Sequence, residues 1–245
     1  MKILKFYSII TSIAILYLTW KALDYRASAN LFLNKYHFYL DNFGQRNYYL
    51  MDNEPLQSDT ILANRVVFIG TQAVKNWDLD QSFSDYETIN RGINQQPAPA
   101  MLLRFSSDVL SLAPKAVVIE VSSYNFRPDN SVSELIEATQ TMALLSRSKG
   151  VIPVLTTVIP PCKDLSFDPD CLECPNYHIW DSLSSYNQAL SRFAAEEGFP
   201  LSDWNHLLSD SDGYLSDSLA VNTVEPNKNG YEILSYDLNS IFRKL

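Results

Sequence analysis

The chain has 245 residues, of which 46% are apolar and 19% are charged, and its formal net charge is −9. This length fits one domain of moderate size with an additional segment, and the apolar content excludes a wholly disordered chain. The acidic balance excludes a nucleic-acid-binding protein, which needs a face rich in lysine and arginine. Because the acidic residues are scattered along the chain, we interpret them as a solvated surface.

The first segment of the chain has the pattern of a membrane anchor. Lys2 and Lys5 precede an uncharged, largely apolar run over residues 6–20. As a helix this run covers about 22 Å, less than the roughly 30 Å hydrocarbon core, although the stems of Lys5 and Lys21 would extend its reach. We predict a single-pass anchor of the inner membrane over residues 1–23, with the N-terminal lysines cytoplasmic and the following domain periplasmic.

Two other interpretations of this segment stay open. A cleaved signal peptide would use Ala27, Ser28 and Ala29 as its small-residue cleavage site, although charged residues precede that site. A buried core helix would also have an apolar run of this length. Both the anchor and the signal peptide place the rest of the chain outside the cytoplasm.

Residues 24–58 are predicted to form an aromatic-rich stalk and linker. Apolar residues between Leu31 and Tyr49 recur at roughly helical spacing. Such a helix either packs on the following domain or presents its aromatic side chains to an envelope glycan, a protein partner or the membrane surface. Pro55 and its polar neighbours indicate a linker over residues 51–59.

Strand and helix patterns alternate over residues 59–245. The continuous β-branched run at residues 115–121 indicates a central strand that is buried on both faces. The alternation predicts an α/β fold with a parallel sheet and helices on both faces. Further strands are predicted at residues 65–70, 87–91, 151–158 and near 201, and helices at residues 99–112, 131–148, 180–198 and 227–245.

Four blocks of this region resemble the motifs of the SGNH hydrolases, the GDSL-type lipase/acylhydrolase family. V-F-I-G-T-Q-A-V-K-N-W at residues 67–77 is similar to V-F-x-G-D-S-x-T-x-x-W, and I-N-R-G-I at residues 89–93 is similar to the second block. P-K-A-V-V-I-E-V-S-S-Y-N at residues 114–125 is similar to the strand that ends in G-T-N-D. N-T-V-E-P-N-K-N-G-Y at residues 222–231 is similar to D-x-x-H-P-N-x-x-G-Y.

The resemblance covers roughly residues 64–242 and implies a flavodoxin-like, three-layer α/β/α sandwich. It implies about five parallel strands in the order 2-1-3-4-5. It also implies acyl transfer, in which a serine attacks an ester, a histidine accepts the proton and an aspartate orients the histidine.

In this sequence the serine, aspartate and histidine positions of the family carry Gln72, Asn222 and Glu225. A neutral amide is not a nucleophile of this kind, and a glutamate carboxylate is a much weaker base than an imidazole. Asn222 has no charge with which to stabilise an imidazolium. We therefore predict a catalytically degenerate domain that serves as a binding or scaffold module at the cell envelope, without a cofactor.

The oxyanion positions of the family are partly kept. Gly92 occupies the glycine position of the second block, and Thr71 stands beside Gln72 at the turn. The position of the family's asparagine carries Tyr124, with Asn125 one residue later. Backbone N–H groups and an asparagine side chain hold the oxyanion in the family.

An active enzyme with relocated residues is the alternative function. Ser122 or Ser123, at the end of the central strand, could act with His178 as an esterase or acyltransferase on envelope glycans or lipids. The simpler interpretation of both serines is hydrogen bonding to loop backbone. Trp77 and Tyr124 either pack in the core, which we favour, or stack on a sugar.

The long loop after the fourth predicted strand contains the cysteines. Cys162, Cys171, Cys174 and His178 fall in the pattern C-x8-C-x2-C-x3-H. In an oxidising compartment we expect a disulfide between Cys162 and Cys171 or Cys174, and a Cys3His metal site or free thiols are the alternatives. The other histidines are His37 in the stalk and His206, a predicted loop or capping residue.

Overall fold

The computed structural model describes residues 2–126, 131–162 and 179–245, and within the first helix it describes the side chains of residues 7 and 10–36. The chain divides into two compact units, Met1–Phe43 and Gly44–Leu245. Residues 44–58, which the sequence analysis assigned to the stalk and linker, therefore belong to the second unit.

The first unit contains the helix α1 (Lys2–Asp41). No proline or glycine interrupts this segment, so the predicted anchor and the first part of the predicted stalk form one continuous helix. Its described side chains include many exposed apolar ones, for example Ile13, Leu16 and Trp20. Even so, no helix in the described residues is both long enough and apolar enough to be counted as membrane-spanning. Membrane anchoring stays a prediction.

In the described residues of the second unit, parallel strands form one sheet with the order β2-β1-β3-β4-β5. The predicted strand order and the α/β/α architecture are therefore confirmed. The strands are β1 (Leu62–Gly70), β2 (Glu87–Gly92), β3 (Pro114–Ile119), β4 (Ile152–Thr156) and β5 (Leu201–Ser202).

Helices cover both faces of the sheet. They are α2 (Leu50–Asn53), α3 (Gln72–Lys75), α4 (Leu79–Ser82), α5 (Ala98–Asp108), α6 (Val132–Ser148), α7 (Ile179–Glu197), α8 (Trp204–Leu208) and α9 (Lys228–Phe242). Short 3-10 turns lie at Glu54–Leu56, Leu110–Leu112, Ser123–Asn125 and Asp217–Leu219.

The sheet separates two hydrophobic cores because successive strand residues point to opposite faces. Val67 and Ile69 of β1 belong to the core under α5, α6 and α7. Val66 and Phe68 belong to the core under α3, α4, α8 and α9. The predicted burial of the central strands on both faces follows from this arrangement.

The segment predicted as a linker contributes to the domain instead. Residues 50–56 form α2 and a 3-10 turn. Asn53 at the end of α2 is buried, and its side chain donates to Asp108 Oδ1 at 2.7 Å. The linker prediction was wrong here because it relied on local polarity, whereas Asn53 is held by a residue of α5.

A buried group of polar side chains joins α2, β2 and α5. Arg104 forms an ion pair with Asp108, with Nη1 2.9 Å from Oδ2, and both side chains are fully buried. Arg104 also donates from Nε to Gln96 Oε1 at 2.7 Å and from Nη2 to the Arg91 carbonyl at 2.8 Å. Asn53 accepts from Arg91 Nε at 2.9 Å. Asn53, Arg91, Gln96, Arg104 and Asp108 are called the buried ion cluster below.

Candidate functional site

The turn after β1 lies at the carboxyl edge of the sheet, where open α/β folds bind their ligands. Gly70 ends the strand, and a Cβ atom at this position would lie 2.6 Å from Val74 Cγ2 and 2.9 Å from Glu120 Cβ. Glycine therefore lets the turn approach Glu120, the residue after β3. The Thr71 N–H donates to Glu120 Oε2 at 2.6 Å, and the Thr71 hydroxyl lies 3.0 Å from the same oxygen.

Glu120 is the buried titratable group of this edge. Burial raises the pKa of its carboxyl to about 7, although the hydrogen bonds from the Thr71 N–H and hydroxyl work in the opposite direction. Glu120 was not among the predicted site residues. A charged residue inside an otherwise apolar β-branched run was the signal that could have identified it.

Gln72, which the resemblance aligns with the serine of the family, lies at the start of α3, and its side chain is largely buried. The amide oxygen Oε1 accepts from the Gln95 N–H at 3.3 Å, and Nε2 donates to Ser122 Oγ at 3.5 Å. The amide thus uses both of its polar ends within the protein.

The backbone N–H that reaches Gln72 is that of Gln95, not that of Gly92. The Gly92 N–H donates to Asn90 Oδ1 at 2.9 Å, and its carbonyl accepts from the Tyr49 hydroxyl at 2.6 Å. Burial raises the pKa of Tyr49 to about 12, so this phenol stays protonated as a donor. Gln95 has a positive φ of 56°, in the left-handed region that glycine adopts more readily than glutamine.

Gly92 instead permits close packing of β2 against α3. A Cβ atom at Gly92 would lie 2.7 Å from the Lys75 Cα and 2.8 Å from the Thr71 carbonyl oxygen. Both are backbone atoms, so a side chain at this position would displace the turn that carries Gln72. The structure gives Gly92 a packing role in addition to the oxyanion position that the sequence suggested.

The loop before α9 places Asn222 next to Glu225. Asn222 Oδ1 accepts from the N–H groups of Val224 at 3.1 Å and Glu225 at 3.0 Å, which fixes the loop conformation. Asn222 Nδ2 donates to Glu225 Oε2 at 2.9 Å. The two residues that the resemblance aligns with the aspartate and histidine of the family are therefore in direct contact, through an amide and a carboxylate.

Asn76 completes this arrangement from the opposite side. Its Nδ2 donates to Glu225 Oε1 at 2.8 Å across 149 positions of sequence. Each carboxylate oxygen of Glu225 therefore accepts from one amide. Asn76, Asn222 and Glu225 are called the carboxylate–amide cluster below. Asn76 was not among the predicted site residues. Its position four residues after Gln72, at the end of α3, was the feature that could have identified it.

The residues after β3 hold the loop together. Ser122 Oγ accepts from the Tyr124 N–H at 3.3 Å, as expected for hydrogen bonding to loop backbone. Asn125 Oδ1 accepts from the Ala98 N–H at 3.2 Å, and the Tyr124 hydroxyl lies 3.4 Å from Thr223 Oγ1. Ser123 is buried, and its Oγ has no hydrogen-bond partner in the part of the chain that the structure describes.

Trp77 packs in the core below the turn. Its ring lies 4.9 Å from the Tyr231 ring and 5.8 Å from the rings of Phe68 and Trp204, and Nε1 donates to Ser82 Oγ at 2.9 Å. The interpretation of Trp77 as a packing residue is supported. Its almost complete burial leaves little ring surface for stacking on a sugar.

Cys162 is the cysteine that the structure describes. Its N–H donates to the Thr223 carbonyl at 2.8 Å, and its sulfur lies 3.5 Å from the Asn222 carbonyl. Cys171, Cys174 and His178 lie outside the described residues, so the disulfide and the Cys3His site stay predictions. The side chain of His37 is likewise not described.

His206 lies in α8, close to its start. The His206 N–H donates to Asp203 Oδ1 at 3.2 Å, and Asp203 caps the helix. The sequence analysis predicted a loop or capping residue, whereas the structure places His206 in the first turn of α8 and makes Asp203 the capping residue.

Comparison with known proteins places the chain in a family. The sequence model of the GDSL-like lipase/acylhydrolase family matches residues 70–233. Among solved structures, a GDSL-like lipase from Bacteroides thetaiotaomicron is 21% identical, covers 82% of this chain and 98% of its own, and has a TM-score of 0.71. No curated protein sequence matches the chain.

Two further solved structures have the same fold. A lipase/acylhydrolase from Enterococcus faecalis is 19% identical over 74% of this chain and 97% of its own, with a TM-score of 0.60. An acetylxylan esterase from Geobacillus stearothermophilus is 16% identical over 73% of this chain and 94% of its own, with a TM-score of 0.55. Identities of this size establish the fold alone, whereas the family model covers most of the domain. The chain belongs to the GDSL-like lipase/acylhydrolase family.

Proposed function

We propose that this domain is a non-hydrolytic member of its family that acts as a binding or scaffold module at the cell envelope. The observation that carries the proposal is the carboxylate–amide cluster together with Gln72. The positions that hold a nucleophile and a base in the family here hold amides and a carboxylate that bond to one another or to loop backbone. Ester cleavage by the family's route needs a hydroxyl that transfers its proton to a base.

Gln72 supports the proposal through its chemistry. Its amide nitrogen has no lone pair available for attack, because that pair is delocalised into the carbonyl. The Glu225 carboxylate, the residue at the base position, accepts from Asn76 Nδ2 and Asn222 Nδ2 rather than from a hydroxyl. The cluster can accept hydrogen bonds from a ligand, and this capacity suits binding.

The surroundings of Ser122 argue against the alternative of a relocated nucleophile. Two donors, the Tyr124 N–H and Gln72 Nε2, point at its oxygen. Within the described residues, no imidazole or carboxylate accepts the Ser122 proton through a hydrogen bond. A serine without such a base stays a weak nucleophile.

Reactivity measurements on the full chain, purified in detergent, test the absence of ester hydrolysis. We expect no labelling by a fluorophosphonate probe and no hydrolysis of p-nitrophenyl acetate above the rate in buffer. Heat-denatured protein is the control for non-specific labelling. Labelling or hydrolysis that disappears in Ser122→Ala or Ser123→Ala would show a relocated nucleophile and refute the proposal.

We also propose that α1 attaches the protein to the inner membrane, with the domain on the periplasmic side. The support is the uncharged run of residues 6–20 and the aromatic and cationic side chains at its end. Lys21 Nζ lies 5.3 Å from the centroid of the Trp20 ring and 5.8 Å from that of Tyr25. Tryptophan, tyrosine and lysine at the end of an apolar helix are typical of a membrane interface.

Membrane fractionation tests the attachment. We expect the full chain to stay with membranes after extraction at alkaline pH, and a variant with Ile13→Lys and Leu16→Lys to be released, because charges at a helix centre oppose insertion. Exposed Tyr36→Lys is a matched control outside the apolar run and should leave the protein in the membrane fraction. Release of the unmodified chain would contradict the proposal.

A further inference from the structure

A cleft opens beside the carboxylate–amide cluster and has a volume of about 560 Å³, within the range of small-ligand sites. One wall consists of residues 76–78 and the end of α4. The other wall consists of Val221, residues 225–227 and the first turns of α9. Glu225 lies in both the cluster and the cleft, so the residue at the family's base position faces a space large enough for a ligand.

The walls of the cleft are held in place by their own hydrogen bonds. Asn76 Nδ2 and Glu225 Oε1 connect the two walls at 2.8 Å. The Tyr231 hydroxyl donates to the Ala73 carbonyl at 2.8 Å. Asn227 Oδ1 caps α9 by accepting from the Asn229 N–H at 2.9 Å. Side chains fixed in this way lose little conformational entropy when a ligand binds.

The hydrogen-bonding groups of the cleft favour a polar ligand that carries hydroxyl groups. Each oxygen of Glu225 accepts one amide bond and has a further lone pair, so the carboxylate can accept from ligand hydroxyls. The rim adds the exposed planar groups of Gln81 and Glu232, each of which can bond two neighbouring polar atoms. Burying these groups against an apolar ligand would leave them unpaired, at a cost of several times RT each.

The charge of the cleft and the aromatic ring on its wall restrict the class of ligand further. Its carboxylates are Asp78, Glu225 and Glu232, and its lining cation is Lys228, so the field disfavours an anion. Burial, with a contribution from the charge of Glu225, raises the pKa of Tyr231 well above its ordinary value, so that its phenol stays neutral. The half-buried Tyr231 ring offers a flat apolar surface beside these polar groups.

We propose that this cleft binds a neutral saccharide. A sugar ring supplies many hydroxyl donors and acceptors for the carboxylates and amides, and its C–H face fits an aromatic ring. This inference rests on the proposed function, because it identifies the ligand class of the binding module. It extends that function by locating the ligand beside Glu225 rather than over Gln72, whose amide is occupied by Gln95 and Ser122.

Isothermal titration calorimetry on the full chain in detergent tests the proposal. The probes are the neutral disaccharides xylobiose, cellobiose and chitobiose, with digalacturonic acid as an anionic probe and choline as a cationic one. We expect at least one neutral disaccharide to bind with a Kd in the millimolar range or tighter. Neither charged probe should bind more tightly than that disaccharide.

Variants locate the binding. Gln81→Ala and Glu232→Ala each remove a rim group without breaking a close contact between the walls, and each should weaken binding about threefold to tenfold, the loss of one hydrogen bond. Glu196→Ala on the exposed surface of α7 is the matched control for Glu232→Ala and should leave the affinity unchanged.

Several results would overturn the inference. They are the absence of binding by all three disaccharides, tighter binding of choline or digalacturonic acid, and saccharide binding that Gln81→Ala and Glu232→Ala leave unchanged. Each of these results, obtained with a protein that fluorophosphonate does not label, would leave the non-hydrolytic function standing. Fluorophosphonate labelling of a serine would instead refute that function and is independent of the calorimetry.

Discussion

The buried ion cluster and the carboxylate–amide cluster are both networks of polar side chains, but they differ in burial and in charge balance. Arg104 and Asp108 are fully buried and form an ion pair. Burial lowers the pKa of Arg104, and the hydrogen bond and charge of Asp108 oppose this shift. In the carboxylate–amide cluster, the Glu225 carboxylate is partly solvated and bonds to neutral amides at the edge of a cleft.

This difference separates a structural network from a ligand-facing one. A buried charge must be compensated by protein groups, because water is not available to solvate it. A partly exposed carboxylate needs no counter-charge, so its remaining lone pairs stay available to a ligand. We therefore expect changes in the buried ion cluster to affect mainly stability, and changes in the carboxylate–amide cluster to affect mainly binding.

The largest effect is expected for Asp108→Ala. This change leaves the buried Arg104 charge without its partner and should lower the free energy of unfolding by about 3–5 kcal/mol. Urea unfolding followed by tryptophan fluorescence measures this loss. Exposed Asp85→Ala is the matched control and should change stability by less than about 0.5 kcal/mol. Equal losses of stability in Asp108→Ala and Asp85→Ala would contradict the structural role of the buried ion cluster.

Glu120→Gln tests a buried carboxyl that lacks the ion pair of Asp108. An acid with a raised folded-state pKa binds its proton more tightly in the folded state. The carboxyl of Glu120 has a pKa of 4.5 in the unfolded chain and about 7 in the folded protein. The unmodified chain should therefore lose stability as the pH rises from 4.5 to about 7, and the loss should be complete above that range. The variant should lack this slope and should be more stable near pH 8 by up to about 3 kcal/mol. Unfolding curves across this pH range measure the difference, and parallel pH profiles would contradict it.

Gly92→Ala tests the close packing of β2 against α3 and the turn before it. The added methyl group meets backbone atoms of Lys75 and Thr71, and the expected destabilisation is about 1–3 kcal/mol. Gln95→Gly is the contrasting change in the same loop, because a positive φ suits glycine, and it should raise stability by up to about 1 kcal/mol. Thermal unfolding of both variants measures these effects, and a neutral Gly92→Ala would refute the packing role.

The smallest effect on stability is expected for Asn76→Ala. Its bond to Glu225 lies at an exposed site, so the free energy of unfolding should change by less than about 1 kcal/mol. Saccharide affinity should nevertheless fall, because Glu225 loses the contact that orients it across the cleft. Urea unfolding and calorimetry on the same preparation separate the two effects. A stability loss as large as that of Asp108→Ala would assign this cluster a structural role.

The strands and helices could be predicted from the sequence because their signals are local, whereas the strand order was implied by the family resemblance. The β-branched run of β3 and the motif blocks around Gly70 and Asn227 indicate strands, turns and helix starts within a few residues. The interpretation of residues 51–59 as a linker was wrong in its first part for the opposite reason. Asn53 is buried by a contact with Asp108, 55 positions away, which local polarity does not indicate.

The sequence by itself determined the chemical groups at the positions that the resemblance aligns with the family's catalytic residues, because Gln72, Asn222 and Glu225 carry an amide, an amide and a carboxylate. Only the tertiary structure decided what those groups contact. It brings Asn76 to Glu225 across 149 positions and the Gln95 N–H, rather than that of Gly92, to the Gln72 amide. Hydrogen bonds are short and directional, so they depend on how strands and turns pack rather than on residue order.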